Sequence, residues 1–296
     1  LLTGQFLAGD ALQGLGALSW LGEFGHLPTR PVLRADPVHL RADRDQLLVY
    51  GPETLGLNAE EGRALAAAFD AHFGEQGLHL EITPAGRGYL HLAAPPDLRT
   101  LPLEEVRGRP VAQFVAGGED RTLWLKRLTE VQMLFANHAV NLRRAVEGRP
   151  TVNGLWLWGE GRMPPPRHRL EHHAVFYTDD PLLRGVARHC GLAEAPAPAF
   201  EAGFTPPATA GEHWLFIDAV ERPAAYAEIE SWRAALITFE RSWLQPAFHA
   251  VRTGRIRLLD LLPMNGRLYR LRRRHAWLSW RRDHPARHLP GSTASA

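Results

Sequence analysis

A short apolar run, Gly154–Trp158, most constrains the fold of this chain. Its sequence, GLWLW, contains no charged side chain, and Gly159 follows it. Because strand side chains alternate between two faces, Trp156 and Trp158 share one face and the two leucines occupy the other. A strand that is apolar on both faces is typical of a mostly parallel sheet covered by helices. The run therefore predicts a buried strand, with both tryptophans in structural roles.

The loop after this strand combines glycines with an arginine. Gly159 and Gly161 flank Glu160, Arg162 follows, and prolines begin at Pro164. The spacing lacks the third glycine of a dinucleotide-binding fingerprint, and the prolines disfavour an immediate helix whose N-terminus could hold phosphate. Two interpretations stay open. Arg162 could grip a phosphate or carboxylate in bidentate fashion, or the loop could simply be the exit of a buried strand.

Strand-like and helix-like segments alternate along the sequence. Strands are predicted at 45–51, 78–83, 89–92, 173–178 and 213–220, and helices at 58–77, 120–147, 180–192 and 225–251, with a short β ending. This alternation indicates an α/β protein with a mostly parallel or mixed central sheet and flanking helices. Residues 1–192 form one predicted α/β region, 193–211 a loop or linker, and 212–296 a region completing the same domain.

Composition narrows the class of protein further. The 296 residues are 45% hydrophobic, enough for a large core. The single cysteine, Cys190, excludes an intrachain disulfide and a cysteine-based zinc site, and it fits a cytoplasmic location. The apolar N-terminal run is interrupted by Gln5, Asp10 and Gln13 and has no basic flank, so we expect no signal peptide, membrane span or membrane partner.

Nearly all the positive charge is arginine, because Lys126 is the one lysine. Residues 267–275 and the pair Arg281 and Arg282 could form a patch for a phosphate backbone. They alternate with apolar residues, however, which is equally typical of a charged edge strand. Since no recognition helix or aromatic RNA motif accompanies the charge, the pattern does not favour nucleic acid as a partner.

Polar residues also recur on the predicted helix 120–147. Asn137, Asn141 and Arg144 fall on one face, with His138 beside them, and Asn153 stands just before the tryptophan strand. Such a cluster could line a ligand pocket. Alternatively, these side chains satisfy nearby backbone groups.

Two further groups have the residue types of a chemical site. Asp36 and His39, separated by Pro37, are an acid and base candidate, or a pair that satisfies loop backbone. The run HRLEHH supplies several potential zinc ligands, namely His168, Glu171, His172 and His173. Helical i, i+4 spacing suits zinc, but the adjacent prolines disfavour a regular helix.

Three runs carry a resemblance to a known family: ADPVHLRADRDQLLV, EVQMLFANHAVN and VNGLWLWGEG. They resemble the Rpf-type (regulation of pathogenicity factors) regulatory proteins, degenerate relatives of the archaeal-type cofactor-independent phosphoglycerate mutases. The resemblance covers residues 34–190 well and the remainder loosely, and it implies part of the alkaline-phosphatase superfamily fold. The candidate ligand-binding residues are Asn141, Arg144, Asn153, Trp158, Gly159, Gly161 and Arg162, with Asp36, His39 and His138 as secondary candidates.

The chain departs from the mutases where the resemblance implies their catalytic groups. Those enzymes use a serine nucleophile and two metal ions held by aspartate and histidine, including an Asp-x-x-x-His pair. This chain has no such pair, and after the strand ending at Val220 it reads ERPAAY, with Ala225 at the histidine position. Without the ligands, two-metal phosphoryl transfer is lost.

The departures favour a non-catalytic regulatory or ligand-binding protein without a cofactor. We expect its partner to be a small anionic metabolite, held by Arg162 together with Asn141 and Arg144. The alternative is a metal-dependent phosphomutase or phosphatase that acts on a small phosphorylated metabolite, with Mn or Zn as cofactor.

Overall fold

A computed structural model of the protein describes residues 6–7, 12–44, 46–114, 117–166 and 174–276. They divide into two compact units. The first comprises the residues up to Ala197 together with Gly211–Trp232, and the second comprises Pro198–Ala210 and the residues from Arg233 onward. Within these described residues, no helix is both long enough and apolar enough to cross a membrane.

Strands and helices alternate through most of the chain. The strands are β1 Val32–Asp43, β2 Gln46–Tyr50, β3 His79–Ile82, β4 Gly88–His91, β5 Gly154–Trp158, β6 Ala174–Tyr177, β7 Ala193–Ala195, β8 Glu212–Leu215, β9 Leu258–Leu261 and β10 Tyr269–Arg272. The α-helices are α1 Leu15–Phe24, α2 Pro52–Leu55, α3 Ala59–Phe73, α4 Leu103–Val106, α5 Arg121–Ala136, α6 Ala139–Val146, α7 Pro181–His189, α8 Glu221–Ala225, α9 Ile229–Thr238, α10 Gln245–Thr253 and α11 Arg273–Ala276.

The main sheet has five strands and is organised around the long strand β1. Strands β2, β4 and β5 each pair with β1, and β3 pairs with β4, all antiparallel. A second sheet, in the order β7-β6-β8, is parallel. The predicted α/β class with mixed strand directions is therefore confirmed. Among the described strands, β5 pairs with β1 alone, and that pairing is antiparallel. An apolar run predicts that both faces of a strand are buried, but it does not predict the direction of the neighbouring strands.

Both faces of β5 are indeed covered. Leu155 and Leu157 join a core with α3 and α5, which contribute Leu65, Phe69, Trp124, Val131 and Phe135. Trp158 faces the opposite way, into a core with Leu15, Leu18, Phe176 and Val186 from α1, β6 and α7. Trp158 is 1% exposed, whereas Trp156 is partly buried against the same core. The strand therefore separates two hydrophobic layers of the first unit.

Helix α3 begins as its sequence predicts. The Asn58 side chain accepts a hydrogen bond from the Glu61 backbone, and the Glu61 side chain accepts one from the Asn58 backbone. This capping box satisfies two backbone N–H groups that would otherwise lack partners. Likewise, Asp180 caps α7 and Pro181 occupies its first turn.

The predicted helix 120–147 is instead two helices. Helix α5 ends at Ala136, and α6 begins at Ala139 after His138 adopts an extended backbone. The Nδ1 atom of His138 accepts a hydrogen bond from the Val140 backbone at 3.2 Å, which caps α6. A continuous apolar period could not reveal this break, because the cap depends on one side chain turning back to the backbone.

Helix α1 packs closely on α7 through two glycines. A Cβ atom on Gly22 would collide with the carbonyl oxygen of Pro181, and one on Gly185 would collide with that of Leu18. Only glycine permits this approach of two helix backbones. The packing holds α1 beside the end of β5.

Most of the segment predicted as one helix, 225–251, and the β ending lie in the second unit, which resumes at Arg233. The helical segment consists of α9, a π-helical turn at Phe239–Leu244 and α10, and it begins at Ile229. The β ending is an antiparallel hairpin of β9 and β10, packed against α10. Residues 193–211, predicted as a loop or linker, contain β7 and a 3₁₀ turn at Phe200–Ala202, and the proposed domain boundaries stay a prediction.

Candidate functional site

The link between α6 and β5 contains backbone carbonyl groups that are not hydrogen-bonded within a strand or a helix. Three of its successive carbonyl oxygens are each bound by one of the candidate residues. Arg144 donates to Pro150 at 2.7 Å, His39 Nδ1 donates to Thr151 at 2.8 Å, and Asn141 donates to Val152 at 2.7 Å. Buried or half-buried carbonyl groups need such partners. These contacts agree with the second interpretation of the sequence, in which the polar side chains satisfy nearby backbone groups.

Asn141 uses its whole amide inside the protein. Its Nδ2 atom also donates to the Phe135 carbonyl at 2.8 Å, and its Oδ1 atom accepts from the Val152 backbone at 2.8 Å. The side chain is 2% exposed. Asn141 therefore ties the end of α5 to the beginning of β5.

Asn153 extends the β-ladder with its side chain. Its Oδ1 atom accepts from the Leu40 backbone at 2.6 Å, and its Nδ2 atom donates to the Leu40 carbonyl at 3.0 Å. The Asn153 backbone N–H meanwhile donates to Val38 at 3.2 Å. The amide thus substitutes for one more residue of strand β5.

Arg144 forms a buried ion pair. It is fully buried, and its Nη1 atom lies 2.8 Å from Glu61 Oε2, while Nη2 donates to the Leu55 carbonyl. Arg149 pairs with the other oxygen of Glu61 at 3.0 Å. Glu61 is a residue that sequence reasoning missed, although its place three residues after the cap Asn58 marked it as structurally engaged.

A second buried ion pair lies on β1, the strand that pairs with the tryptophan strand β5. Arg34 and Asp36 are separated by 2.5 Å, and Asp36 is fully buried. Trp158 Nε1 donates to the other oxygen of Asp36 at 2.7 Å, and the Gly88 backbone donates at 3.1 Å. Asp36 is therefore occupied by three donors and has no oxygen turned toward a surface where it could act as acid or base.

Arg34 lies between two aromatic rings. Its guanidinium carbon is 5.0 Å from the ring centres of both Tyr89 and Trp158, and it donates to Ser19 Oγ at 2.8 Å. Burial lowers the pKa of Arg34, but the charge and hydrogen bond of Asp36, together with the influence of Tyr89 and Glu104, outweigh burial, so the net shift is upward. The signal for this residue was present in the i, i+2 spacing of Arg34 and Asp36 on one strand face.

The loop after β5 is held against the start of α1. Gly159 and Gly161 have φ values of 76° and 95°, a region that favours glycine. The Gly16 backbone donates to Gly159 at 2.8 Å, and the Gly14 backbone donates to Glu160 at 2.6 Å.

The Glu160 side chain, 9% exposed, also has a partner, since it accepts from the backbone and hydroxyl of Thr100 at 3.1 and 2.9 Å. The loop between Gly159 and Gly161 is thus built by specific contacts.

Arg162 differs from every other candidate. It is exposed, and its guanidinium makes no hydrogen bond or ion pair with any residue that the structure describes. It borders an open cleft of about 430 Å³. The remaining lining is mostly apolar: Ala17, Leu27, Pro28, Pro31, Pro95, Gly161 and Met163. An unpaired guanidinium beside such a cleft can bind a carboxylate or phosphate.

The structure does not bring Arg162 together with Asn141 and Arg144. The latter two are enclosed at the beginning of β5, whereas Arg162 follows its far end, and a five-residue strand spans roughly 15 Å. The predicted shared site required Asn141 and Arg144 to face a ligand, but both side chains are bonded to the link before β5, and Arg144 is also bonded to Glu61. Whether any of these residues binds a ligand stays a prediction.

The positions that the sequence suggested for a metal ion either lack a sufficient set of donor side chains or lie outside the described residues. Across the described ranges, no three His, Cys, Asp or Glu side chains lie close enough together to hold a metal ion. His168, Glu171, His172 and His173 fall outside those ranges. Glu221, which begins α8, lies 3.8 Å from Arg107, and Ala225, which ends α8, offers no side-chain donor.

No family model matches the chain. The 2,3-bisphosphoglycerate-independent phosphoglycerate mutase of Methanosarcina barkeri is 27% identical over 144 residues, which cover 46% of this chain and 35% of that protein. The corresponding mutase of Methanothrix thermoacetophila is 23% identical over 232 residues, covering 70% of this chain and 56% of that protein.

A solved cofactor-independent phosphoglycerate mutase from Thermoplasma acidophilum aligns with a TM-score of 0.39 and 16% identity over 77% of this chain and 65% of that structure. The chain spans 35% and 41% of the lengths of the first two curated relatives that it matches. The predicted similarity to the archaeal-type mutases is confirmed by these sequence matches, and the Rpf-type assignment stays a prediction.

Proposed function

We propose that this protein is a non-catalytic, ligand-binding relative of the cofactor-independent phosphoglycerate mutases, with a regulatory role of the Rpf type. One observation carries the proposal. Four polar residues of the stretch that resembles the family, residues 34–190, form internal hydrogen bonds, namely Asp36, Asn141, Arg144 and Asn153. The resemblance is therefore accounted for by a retained scaffold and does not require retained chemistry.

The donor set at the implied metal position supports the same proposal. Two-metal phosphoryl transfer needs carboxylate and imidazole ligands around both ions. In the pair that the resemblance implies, Glu221 stands at the aspartate position beside Arg107, and Ala225 at the histidine position cannot coordinate a metal. These residues do not fit a metal ion, and we propose that the protein uses no cofactor.

The ligand we propose is a small anionic metabolite bound at the Arg162 cleft. Arg162 is the candidate cation whose charge no described side chain neutralises, and its planar guanidinium matches a carboxylate or phosphate. The site thus moves away from Asn141 and Arg144, whose hydrogen bonds are already formed. The single cysteine supports a reducing compartment, so we also propose a cytoplasmic location.

The proposal is tested by an assay for phosphoglycerate mutase activity. The purified protein is incubated with 3-phosphoglycerate in the presence of Mn, Mg, Co or Zn, with heat-treated protein as the control. We expect no turnover above the control with any metal. Metal-dependent turnover that the heat-treated protein lacks would overturn the non-catalytic assignment.

A metal-dependent phosphomutase or phosphatase is the second candidate function, and the names of the curated relatives favour it. It would require Mn or Zn bound by residues other than Glu221 and Ala225. Metal analysis of the purified protein separates the two candidates. Stoichiometric Mn or Zn supports the enzyme, and substoichiometric metal after growth in Mn- and Zn-supplemented medium supports the binding protein.

A further inference from the structure

Positive charge is concentrated in the second unit. Its described residues contain ten arginines and three acidic residues, although the chain as a whole has a formal charge of only +2. An asymmetry of this kind creates a local positive potential that a neutral total charge conceals. The positive charge of the second unit is therefore suited to an anionic partner.

The β9-β10 hairpin and its flanks carry most of these arginines. Residues 257–274 contain six arginines and a single acidic residue, Asp260, which Arg270 binds in bidentate fashion at 2.9 and 2.7 Å. Arg272 and Arg273 are exposed and pair with none of the acidic side chains that the structure describes. Their charge is available to a partner.

The turn of the hairpin presents apolar side chains to water. Met264 is 60% exposed and Leu268 is 50% exposed, and Tyr269 beside them is 38% exposed. Met264 also has a φ of 60°, a left-handed conformation that is uncommon for a residue other than glycine. The turn therefore holds Met264 in a conformation that is uncommon for its residue type, with most of the side chain in water.

Helix α10, which packs against both strands, adds to this surface. Phe248 is 36% exposed, and Arg252 follows one helical turn later on the same side of the helix. Exposed apolar side chains flanked by arginines thus recur on two adjoining elements. We call Met264, Leu268 and the exposed arginines 272–274 the hairpin surface.

We propose that the hairpin surface docks on an anionic phospholipid membrane. Met264 and Leu268 enter the interfacial region of the bilayer, and the arginines bind the phosphate groups of the lipids. Peripheral binding of this kind combines apolar burial with electrostatic attraction. It needs no spanning helix, and the predicted absence of a membrane partner, which rested on the apolar N-terminal run, stays a prediction that the experiment below tests. The two most exposed apolar side chains of the hairpin and α10, Met264 and Leu268, are aliphatic, and the aromatic residues Tyr269 and Phe248 are less exposed than either. Because unpaired bases stack on aromatic side chains, this order of exposure favours lipid over nucleic acid.

The test is co-sedimentation of the whole chain with vesicles. Vesicles of phosphatidylcholine alone are compared with vesicles that contain one quarter phosphatidylserine. We expect substantial binding to the anionic vesicles only, and we expect that binding to fall when the salt concentration is raised, because salt screens exposed charges.

Two variants examine the two parts of the surface. Replacing Arg272, Arg273 and Arg274 by Gln should weaken binding about a hundredfold, since each arginine near an anionic surface contributes about fivefold. Replacing Met264 and Leu268 by Ser should weaken it at least fivefold without altering its salt dependence. Control variants Met133→Ser, whose side chain is 67% exposed in the first unit, and Arg143→Gln should bind like the wild type.

Several outcomes would overturn the proposal. They are equal binding to both vesicle types, no binding to anionic vesicles, wild-type binding by either hairpin variant, and capture of a nucleic acid duplex in preference to vesicles. Thermal unfolding of each variant confirms that it is folded, and residues of the hairpin surface are exposed, so we expect unchanged midpoints.

Discussion

The two ends of the tryptophan strand β5 use polar side chains in opposite ways. At its beginning, Asn141, Arg144 and Asn153 donate to backbone carbonyl groups of the protein itself. Beyond its other end, Arg162 is exposed beside a cleft and has no described partner. All four residues belong to the stretch that resembles the mutases. Resemblance alone therefore does not separate residues that build the scaffold from residues that remain available to a ligand.

The difference follows from what surrounds each end. The link before β5 is irregular, and its backbone carbonyl groups lie where helices α5 and α6 limit access of water, so side chains must satisfy them. In the loop after β5, the backbone carbonyl groups of Gly159 and Glu160 accept from the backbone of Gly16 and Gly14, and the Glu160 side chain accepts from Thr100. Arg162 is therefore not needed for backbone pairing. If this comparison is correct, substitutions of Asn141, Arg144 or Asn153 should lower the free energy of unfolding. Substitutions of Arg162 should weaken only the binding of a ligand.

Trp158→Ala should have the largest effect on stability. The side chain is 1% exposed, and its indole donates to the buried Asp36. We expect a loss of about 3–5 kcal/mol in the free energy of unfolding, as for other large aromatic deletions in cores. Trp232→Ala, at a tryptophan that is 40% exposed, serves as the control and should change it by less than about 1 kcal/mol. Chemical denaturation measures both, and equal values for the two variants would contradict burial of Trp158.

Arg144→Met comes next. Removing Arg144 leaves Glu61 paired with Arg149 alone and leaves the carbonyl groups of Pro150 and Leu55 without their donor, which costs about 3 kcal/mol or more. The neighbouring residue Arg143 is exposed, and Arg143→Met should leave stability within about 0.5 kcal/mol of the wild type. If Arg144 were instead reserved for a ligand, its variant would resemble the Arg143 variant in denaturation experiments.

Stability should also depend on pH through Glu61. Burial alone would raise the pKa of its carboxyl group, but the hydrogen bonds from Asn58 and Arg149 and the charge of Arg144 lower it overall. Because the folded-state pKa lies below the unfolded value of about 4.3, the contribution is present above that pH and is lost as pH falls through the folded pKa.

Denaturation midpoints measured between neutral pH and pH 3 check this dependence. Glu61→Gln should flatten the acid decline, whereas the adjacent exposed Glu60→Gln should retain the wild-type slope. An identical slope in the Glu61 variant and the wild type would show that this carboxyl group does not contribute.

Arg162 should give the smallest effect on stability and the largest on binding. Arg162→Ala is expected to change the free energy of unfolding by less than about 0.5 kcal/mol, since the side chain is exposed and unpaired. Calorimetric titration with phosphorylated and carboxylated metabolites should show weaker binding for Arg162→Ala and Arg162→Lys, because lysine cannot reproduce the bidentate fork. Arg143→Lys is the matched control. Equal affinity of the wild type and the Arg162 variants would remove the cleft as the anion site.

Local signals along the sequence were sufficient for several elements. The capping residues Asn58 and Asp180 placed the starts of α3 and α7, and the apolar run placed β5 at Gly154–Trp158. Each of these signals acts within a few residues, through a cap or a side-chain period. The break at His138 was missed, since the helical period continues across it.

The candidate site shows the same limit. Residue type marked Asp36, Asn141 and Arg144 as polar groups on apolar elements, and that much needed no structure. Their partners are far away in the chain: Asp36 meets Trp158 at a separation of 122 residues, and Arg144 meets Glu61 at a separation of 83. No local pattern encodes such pairings.

Local sequence signals located β5, α3, α7 and the glycine loop after β5, and they identified side chains that could carry charge or hydrogen bonds. They did not reveal α1, the central strand β1 or the helix break at His138. The tertiary structure shows which of those side chains form hydrogen bonds inside the protein and which remain exposed to solvent. The physical reason is that a buried polar group must find a partner, and the partner is chosen by packing between segments distant in sequence. Arg144 is enclosed and paired, while Arg162 is exposed and available, although both are arginines in the same stretch of the chain.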